Sequence, residues 1–82
     1  MSPKNVPYGN VQSPAALGQM VRQRRKADRM TQAEAAGLCG VGIRFLSELE
    51  RGKATAELGK ALRVLRGLGL ELAVTPRGGG AR

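Results

Sequence analysis

An 82-residue chain has room for one small domain. Fourteen Lys and Arg against six Asp and Glu give it a net charge of +8, an electrostatic footprint for a polyanion, with nucleic acid first and an anionic membrane surface second. With one Tyr, one Phe, no Trp and no His, the core must come from Leu, Val, Ile, Ala and Met; the lack of histidine, of a P-loop and of a metal-ligand cluster argues against an enzyme, and no cofactor is expected.

Residues 1–12 are polar and carry Pro3, Pro7 and Gly9, which reads as a loose N-terminal arm without an apolar leader. The domain proper is expected over residues 13–69. Ser13 is a candidate N-cap and Pro14 suits the first helical position, so "SPAALGQMVRQRRKADR" reads as a first helix. Leu17, Met20 and Val21 fall on its apolar stripe, and its second half is strongly basic. Thr31 and Glu34 have the spacing of a capping box, which starts a second helix running to about Cys39. Cys39 is the only cysteine, so no intrachain disulfide is possible. The expected role is a small buried hydrophobe rather than a reactive thiol, in a reducing cytoplasm.

Gly40 stands where a left-handed C-terminal cap is wanted, and Gly42 where a third helix begins. That helix is expected from Ile43 to Arg51, with Gly52 ending it. Gly37 has no such role; inside the second helix it points only to close approach of something on that face. Two short helices across a tight glycine turn make a helix-turn-helix. In "ATAELGKALRVLRGLG" the residues Leu58, Ala61, Leu62, Leu65 and Leu68 form the apolar stripe of a fourth helix, ended by Gly67 and Gly69. Lys60, Arg63 and Arg66 lie on its other side as a solvated or protein-binding face. The period then changes to two. Residues 70–75 alternate, with Leu70, Leu72 and Val74 on one face, and read as a half-buried strand stopped by Pro76. Residues 76–82 form a Gly-rich basic tail. No stretch reaches membrane-spanning length.

A helix-turn-helix on a basic domain places its second helix in the DNA major groove. Leu46 and Leu49 would face the core with Val41, turning Ile43, Arg44, Ser47 and Glu48 outward. Arg44 suits bidentate reading of guanine, Glu48 acceptance from cytosine N4, and Ile43 contact with a thymine methyl. The bland readings stay open beside these. Arg44 is otherwise a solvated charge, and Glu48 more often pairs with a nearby Arg than reads a base. Phe45 reads as a packing residue. Gln32 opens the second helix, where side-chain and backbone amides meet phosphate.

The segment "MTQAEAAGLCGVGIRFLSELERGK", residues 30–53, resembles the helix-turn-helix of the Xre/Cro/C1 family of bacterial and phage repressors. The shared pattern is T-Q-x-E-x-A, a G-V turn, and L-x-x-L-E-R-G-K. The resemblance implies a mostly α, lambda-repressor-like four-helix domain. It implies that Gln32 contacts phosphate, that Gly42, Ile43, Arg44, Ser47 and Glu48 face the groove, and that Arg51 and Lys53 grip the DNA backbone. Arg25 and Glu50 match a structural salt bridge of that family. Gly42 departs from the usual polar N-cap, and Gly37 from a usual larger residue. The flanks, over about residues 13–76, resemble HipB-type antitoxins, small repressors paired with HipA-type kinase toxins. That likeness implies a type II antitoxin that represses its own operon and binds a HipA-like kinase. The alternative is a stand-alone regulator, a phage-type repressor or a restriction–modification controller.

One strand needs a ladder for its backbone groups, and the sequence offers no second strand. The simplest partner is the same strand of a second copy about a twofold axis. Leu70, Leu72 and Val74 would then hold a homodimer whose two recognition helices meet a pseudo-palindromic operator.

Overall fold

The computed structural model describes residues 9–77, which form four helices: α1 (Pro14–Ala27), α2 (Gln32–Cys39), α3 (Ile43–Glu50) and α4 (Leu58–Gly67). Much of the expected arm and tail, residues 1–8 and 78–82, lies outside the described residues. α1 begins where a hydroxyl satisfies a free amide: Ser13 Oγ accepts from Ala16 N–H at 3.0 Å, and Pro14 follows it. α2 has a full capping box. Thr31 Oγ1 accepts from Glu34 N–H at 3.0 Å, and Glu34 Oε1 accepts from Thr31 N–H at 2.9 Å. Gly40 closes α2 in the left-handed region at φ 73°.

α3 stops one residue before the expected Arg51. That residue caps the helix, its amide donating to the Ser47 and Glu48 carbonyls, and Gly52 then turns the chain at φ 85°. α4 departs from its expected stripe at Leu58 and at Val64. Leu58 is 65% exposed and Val64 is fully buried in its place, with Ala61, Leu65 and Leu68 alongside. Gly67 ends the helix as its last residue, and it has a second role in close packing: a Cβ there would sit 2.6 Å from Cys39 Sγ. Gly69, at φ 75°, makes the turn. Gly37 also reads differently. Nothing in the described chain lies within 4 Å of a Cβ placed there, so the close approach expected of it is absent within this chain.

Val21, Ala35, Ala36, Cys39, Leu46, Leu49, Ala61, Val64, Leu65 and Leu68 form one core, flanked by half-buried Leu17, Val41, Phe45 and Leu70. Burying one such Leu or Val contributes about 1.5–3 kcal/mol, so the two helices of the motif are held chiefly by their inner faces. α1 crosses α3, while α2 packs on both α3 and α4. The α1–α3 crossing is close because Gly18 is its contact point: a Cβ there would run into the Leu49 and Glu50 carbonyl oxygens. Burial pushes the Cys39 thiol up, and its Sγ lies 3.6 Å from the Val64 carbonyl, which makes it a packing residue.

Among the described residues there is no strand. The pairing expected of residues 70–75 needs a second chain, and a single chain has no ladder to show. Leu70 N–H donates to the Leu65 carbonyl at 2.8 Å, and its side chain packs on its own core. Leu72 is 45% exposed and Val74 92% exposed. The apolar face of this segment therefore runs off the edge of its own domain.

Candidate nucleic-acid interface

The motif presents α3 because its two faces differ in kind. Leu46 and Leu49 are buried, whereas Ile43 is half-exposed and the Arg44 side chain is 90% exposed. Gly42 makes no side-chain cap, which leaves the first-turn amides of α3 without a side-chain acceptor. No described atom lies within 4 Å of a Cβ built there, so the approach to that end of the helix is open.

The other polar groups of this face are tied to one another. Glu48 accepts from Lys53 Nζ at 3.1 Å through Oε1, and lies 3.4 Å from Arg44 Nε through Oε2. Lys53 is attached to Glu48 a second time, its backbone N–H donating to the Glu48 carbonyl at 3.1 Å. The hydrogen bond from Lys53 is the main cause that holds the Glu48 carboxyl below its ordinary range, with Arg44 adding to it. Arg51 Nη1 donates to Ser47 Oγ at 3.2 Å, one turn back along α3. Arg44 and Lys53 thus flank one carboxylate, and Arg51 lies on Ser47 beside them.

Behind this face lies a buried polar cluster that fixes α3 against α1 and α2. Arg25 Nε donates to Glu50 Oε2 at 2.6 Å and Arg25 Nη2 to Glu50 Oε1 at 3.0 Å, a bidentate pair. Arg25 Nη1 also donates to the Met30 carbonyl at 2.8 Å, which ties in the turn before α2. Gln32 Nε2 donates to Glu50 Oε1 at 3.0 Å. The Gln32 amide is thus anchored on the α3 carboxylate, and that anchor sets the direction of the rest of its side chain at the start of α2. Burial pushes the Glu50 carboxyl up, but hydrogen bonds from Arg25 and Gln32 and the charges of Arg25 and Arg22 outweigh it, and the net direction is down.

Several supports were not readable from local pattern. Arg24 is buried and lies 3.3 Å from Asp28, so the basic half of α1 faces inward as well as out. Arg63 Nη1 donates to the Gly40 carbonyl at 3.1 Å, and Lys60 lies 5.8 Å from the centroid of the Phe45 ring. Two of the three cations expected as a solvated or protein-binding face of α4 are exposed and also contact the turn and α3. For the close α1–α3 crossing, Gly18 carries a signal in the sequence, an isolated glycine inside a helical pattern.

This arrangement, a short N-capped helix packed under an exposed amphipathic one across a left-handed glycine, defines a helix-turn-helix DNA-binding domain. A protein-family profile described as "Helix-turn-helix domain" matches residues 16–77, and the chain belongs to that family of Xre-type regulators. It is 44% identical over 68 residues to an uncharacterised HTH-type transcriptional regulator, y4mF, of Sinorhizobium fredii, covering 83% of this chain and 90% of that protein. Among solved structures, the fold resembles a HipB variant in an O2 20-mer complex, with a TM-score of 0.78, 22% identity and coverage of 87% of this chain and 99% of that one. HipB in a HipA–HipB–O2–O3 complex aligns with a TM-score of 0.76 and 22% identity over 84% of this chain and 97% of that chain. The protein is a helix-turn-helix transcriptional regulator. Among the described residues no helix is long and apolar enough to cross a membrane.

Proposed function

We propose that this regulator is a homodimeric, sequence-specific repressor of its own operon and the HipB-like antitoxin of a HipA-like kinase toxin. The observation that carries the DNA-binding half is the exposed face of α3, with Ile43 and Arg44 facing solvent opposite the buried Leu46 and Leu49. In this reading Arg44 takes a guanine edge and Ile43 a thymine methyl, with Ser47 beside them. Gln32, Arg51, Lys53 and the free amides after Gly42 hold phosphates. Two recognition helices one DNA turn apart, roughly 34 Å, require the dimer. Leu72 and Val74 are the exposed apolar side chains that a second copy would cover, with Leu70 anchoring the segment to its own domain. The antitoxin half is supported by the likeness of fold to HipB, one of whose structures is an assembly with HipA.

A stand-alone regulator, a phage-type repressor or a restriction–modification controller, is the second reading. The relative at 44% identity, described as a transcriptional regulator, favours it equally. Co-expression with a kinase-like reading frame of the same operon separates the two: an antitoxin copurifies with the kinase and suppresses its phosphoryl transfer, and a stand-alone regulator does neither. The DNA-binding half is tested by titration at several salt concentrations. Each phosphate neutralised contributes about −0.9 to the log–log slope. Arg44→Ala should cost about 1–3 kcal/mol on the preferred duplex and much less on random duplex. Equal loss on both would reduce Arg44 to a phosphate contact.

A further inference from the structure

Glu48 is the one carboxylate among Arg44, Ser47, Arg51 and Lys53, where a DNA-binding face has most reason to exclude negative charge. A carboxylate there repels every phosphate that approaches, whatever the sequence. Its geometry is that of a clamp. Oε1 holds Lys53 Nζ at 3.1 Å while the Lys53 backbone is bonded to the Glu48 carbonyl, so the loop after α3 is drawn back against its last turn. Oε2 meets Arg44 through Nε, at 3.4 Å. An arginine engaged at Nε keeps its two terminal amines free as a parallel pair, the edge that matches guanine O6 and N7. The Glu48 side chain is 23% exposed and the Arg44 side chain 90% exposed, so the carboxylate lies beneath the guanidinium it touches rather than beyond it.

We infer that Glu48 is a specificity-determining positioning residue, which occupies Lys53 and orients Arg44 so that binding to arbitrary DNA is suppressed more than binding to the preferred site. The inference rests on the DNA-binding reading of α3. On a random duplex only phosphates are on offer. Lys53 must then leave Glu48 to reach one, and the carboxylate charge that this uncovers opposes the contact. On the preferred site Arg44 gains a guanine through the edge that Glu48 has already aimed, and that gain offsets the same opposition. An Arg–Glu pair at this spacing, with the acid C-terminal, is the weaker of the two helix orientations. The clamp therefore yields to a better partner. Glu48 acts through Arg44 and Lys53 and needs no base of its own.

The test uses the full chain and Glu48→Gln, which keeps shape and removes charge. Wild-type protein first enriches a preferred duplex from a random-sequence library. Both proteins are then titrated against that duplex and against the unselected library over a range of salt. Glu48→Gln should bind the unselected library about two- to fivefold more tightly, the range set by the worth of a surface ion pair. Its salt slope there should steepen by about 0.9, one further phosphate contact. Affinity for the preferred duplex should change less, so discrimination falls. The double variant Glu48→Gln with Lys53→Gln should return the slope to the wild-type value, which ties the effect to Lys53 rather than to altered folding. The inference is overturned if Glu48→Gln leaves library affinity and slope unchanged. It is also overturned if the variant instead loses affinity for the preferred duplex, with that loss confined to one base pair, because Glu48 then reads a base directly. If wild type enriches no sequence, the DNA-reading role of α3 fails, a result distinct from either.

Discussion

Removing Glu50 should nearly unfold the domain, because it leaves a buried guanidinium without its acceptor. Arg25 is 8% exposed and Glu50 9% exposed, and their two hydrogen bonds measure 2.6 and 3.0 Å. In Glu50→Ala, Arg25 Nε and Nη2 lose their partner, and only the bond from Nη1 to the Met30 carbonyl remains. Gln32 Nε2 loses its acceptor as well. Breaking a buried pair from one side costs about 3–5 kcal/mol. Domains are stable by about 5–15 kcal/mol, and one this small stands at the lower end, so the loss takes a large share of the total. At about 4–8 °C of Tm per kcal/mol for a domain of this size, the melt should fall by at least about 12 °C. The assay is thermal denaturation by circular dichroism at equal protein concentration, with Glu57→Ala as control, since the Glu57 side chain is 67% exposed and makes no cap bond. A pH series adds a second readout. The folded carboxyl of Glu50 titrates below its ordinary 4.5, so the stability it contributes is complete above about that pH and is lost as pH falls through the lower, folded value. Glu50→Gln should keep part of the packing and lose that acid-side dependence. A Tm shift in Glu50→Ala no larger than in Glu57→Ala would refute the reasoning.

Gly18→Ala and Gly37→Ala should move stability in opposite directions. Alanine is normally better than glycine in a helix by about 0.5–1 kcal/mol, and Gly37, with open space around its Cβ position, should show that gain in a urea melt. At Gly18 the added methyl meets two backbone carbonyls of α3 and should cost about 1–3 kcal/mol instead; a shared sign would contradict the α1–α3 crossing. On the proposed dimer, Leu72→Asp should leave the helices intact and shift light scattering to monomer mass, since that dimer would have to bury the charge unpaired; a persisting dimer would place the interface elsewhere. Gly67→Ala should also destabilise, through Cys39, and pairing it with Cys39→Ala should recover part of the loss.

The helices of this protein were legible in its sequence because their signals are local. A Ser-Pro start, a capping box at Thr31 and Glu34, glycines at Gly40 and Gly52, and apolar residues three and four apart each act within one or two turns of chain. The inward face of α3 followed from spacing alone, since Leu46 and Leu49 leave Ile43 and Arg44 only the other side. The pairing of Arg25 with Glu50 is a different matter: it spans 25 residues, and only likeness to a family pointed to it. Long-range geometry decided the rest. That Gln32 anchors on Glu50, that Arg63 holds the Gly40 carbonyl, and that Leu58 lies outside while Val64 lies inside depend on where helices cross. So do the roles of Gly18 and Gly67, where the missing side chain lets two backbones approach. Glu48 shows the limit most clearly. Sequence placed it on the outward side of α3, but its pairing with Lys53 depends on the path of the chain after Gly52. That path returns Lys53 to the same helix turn.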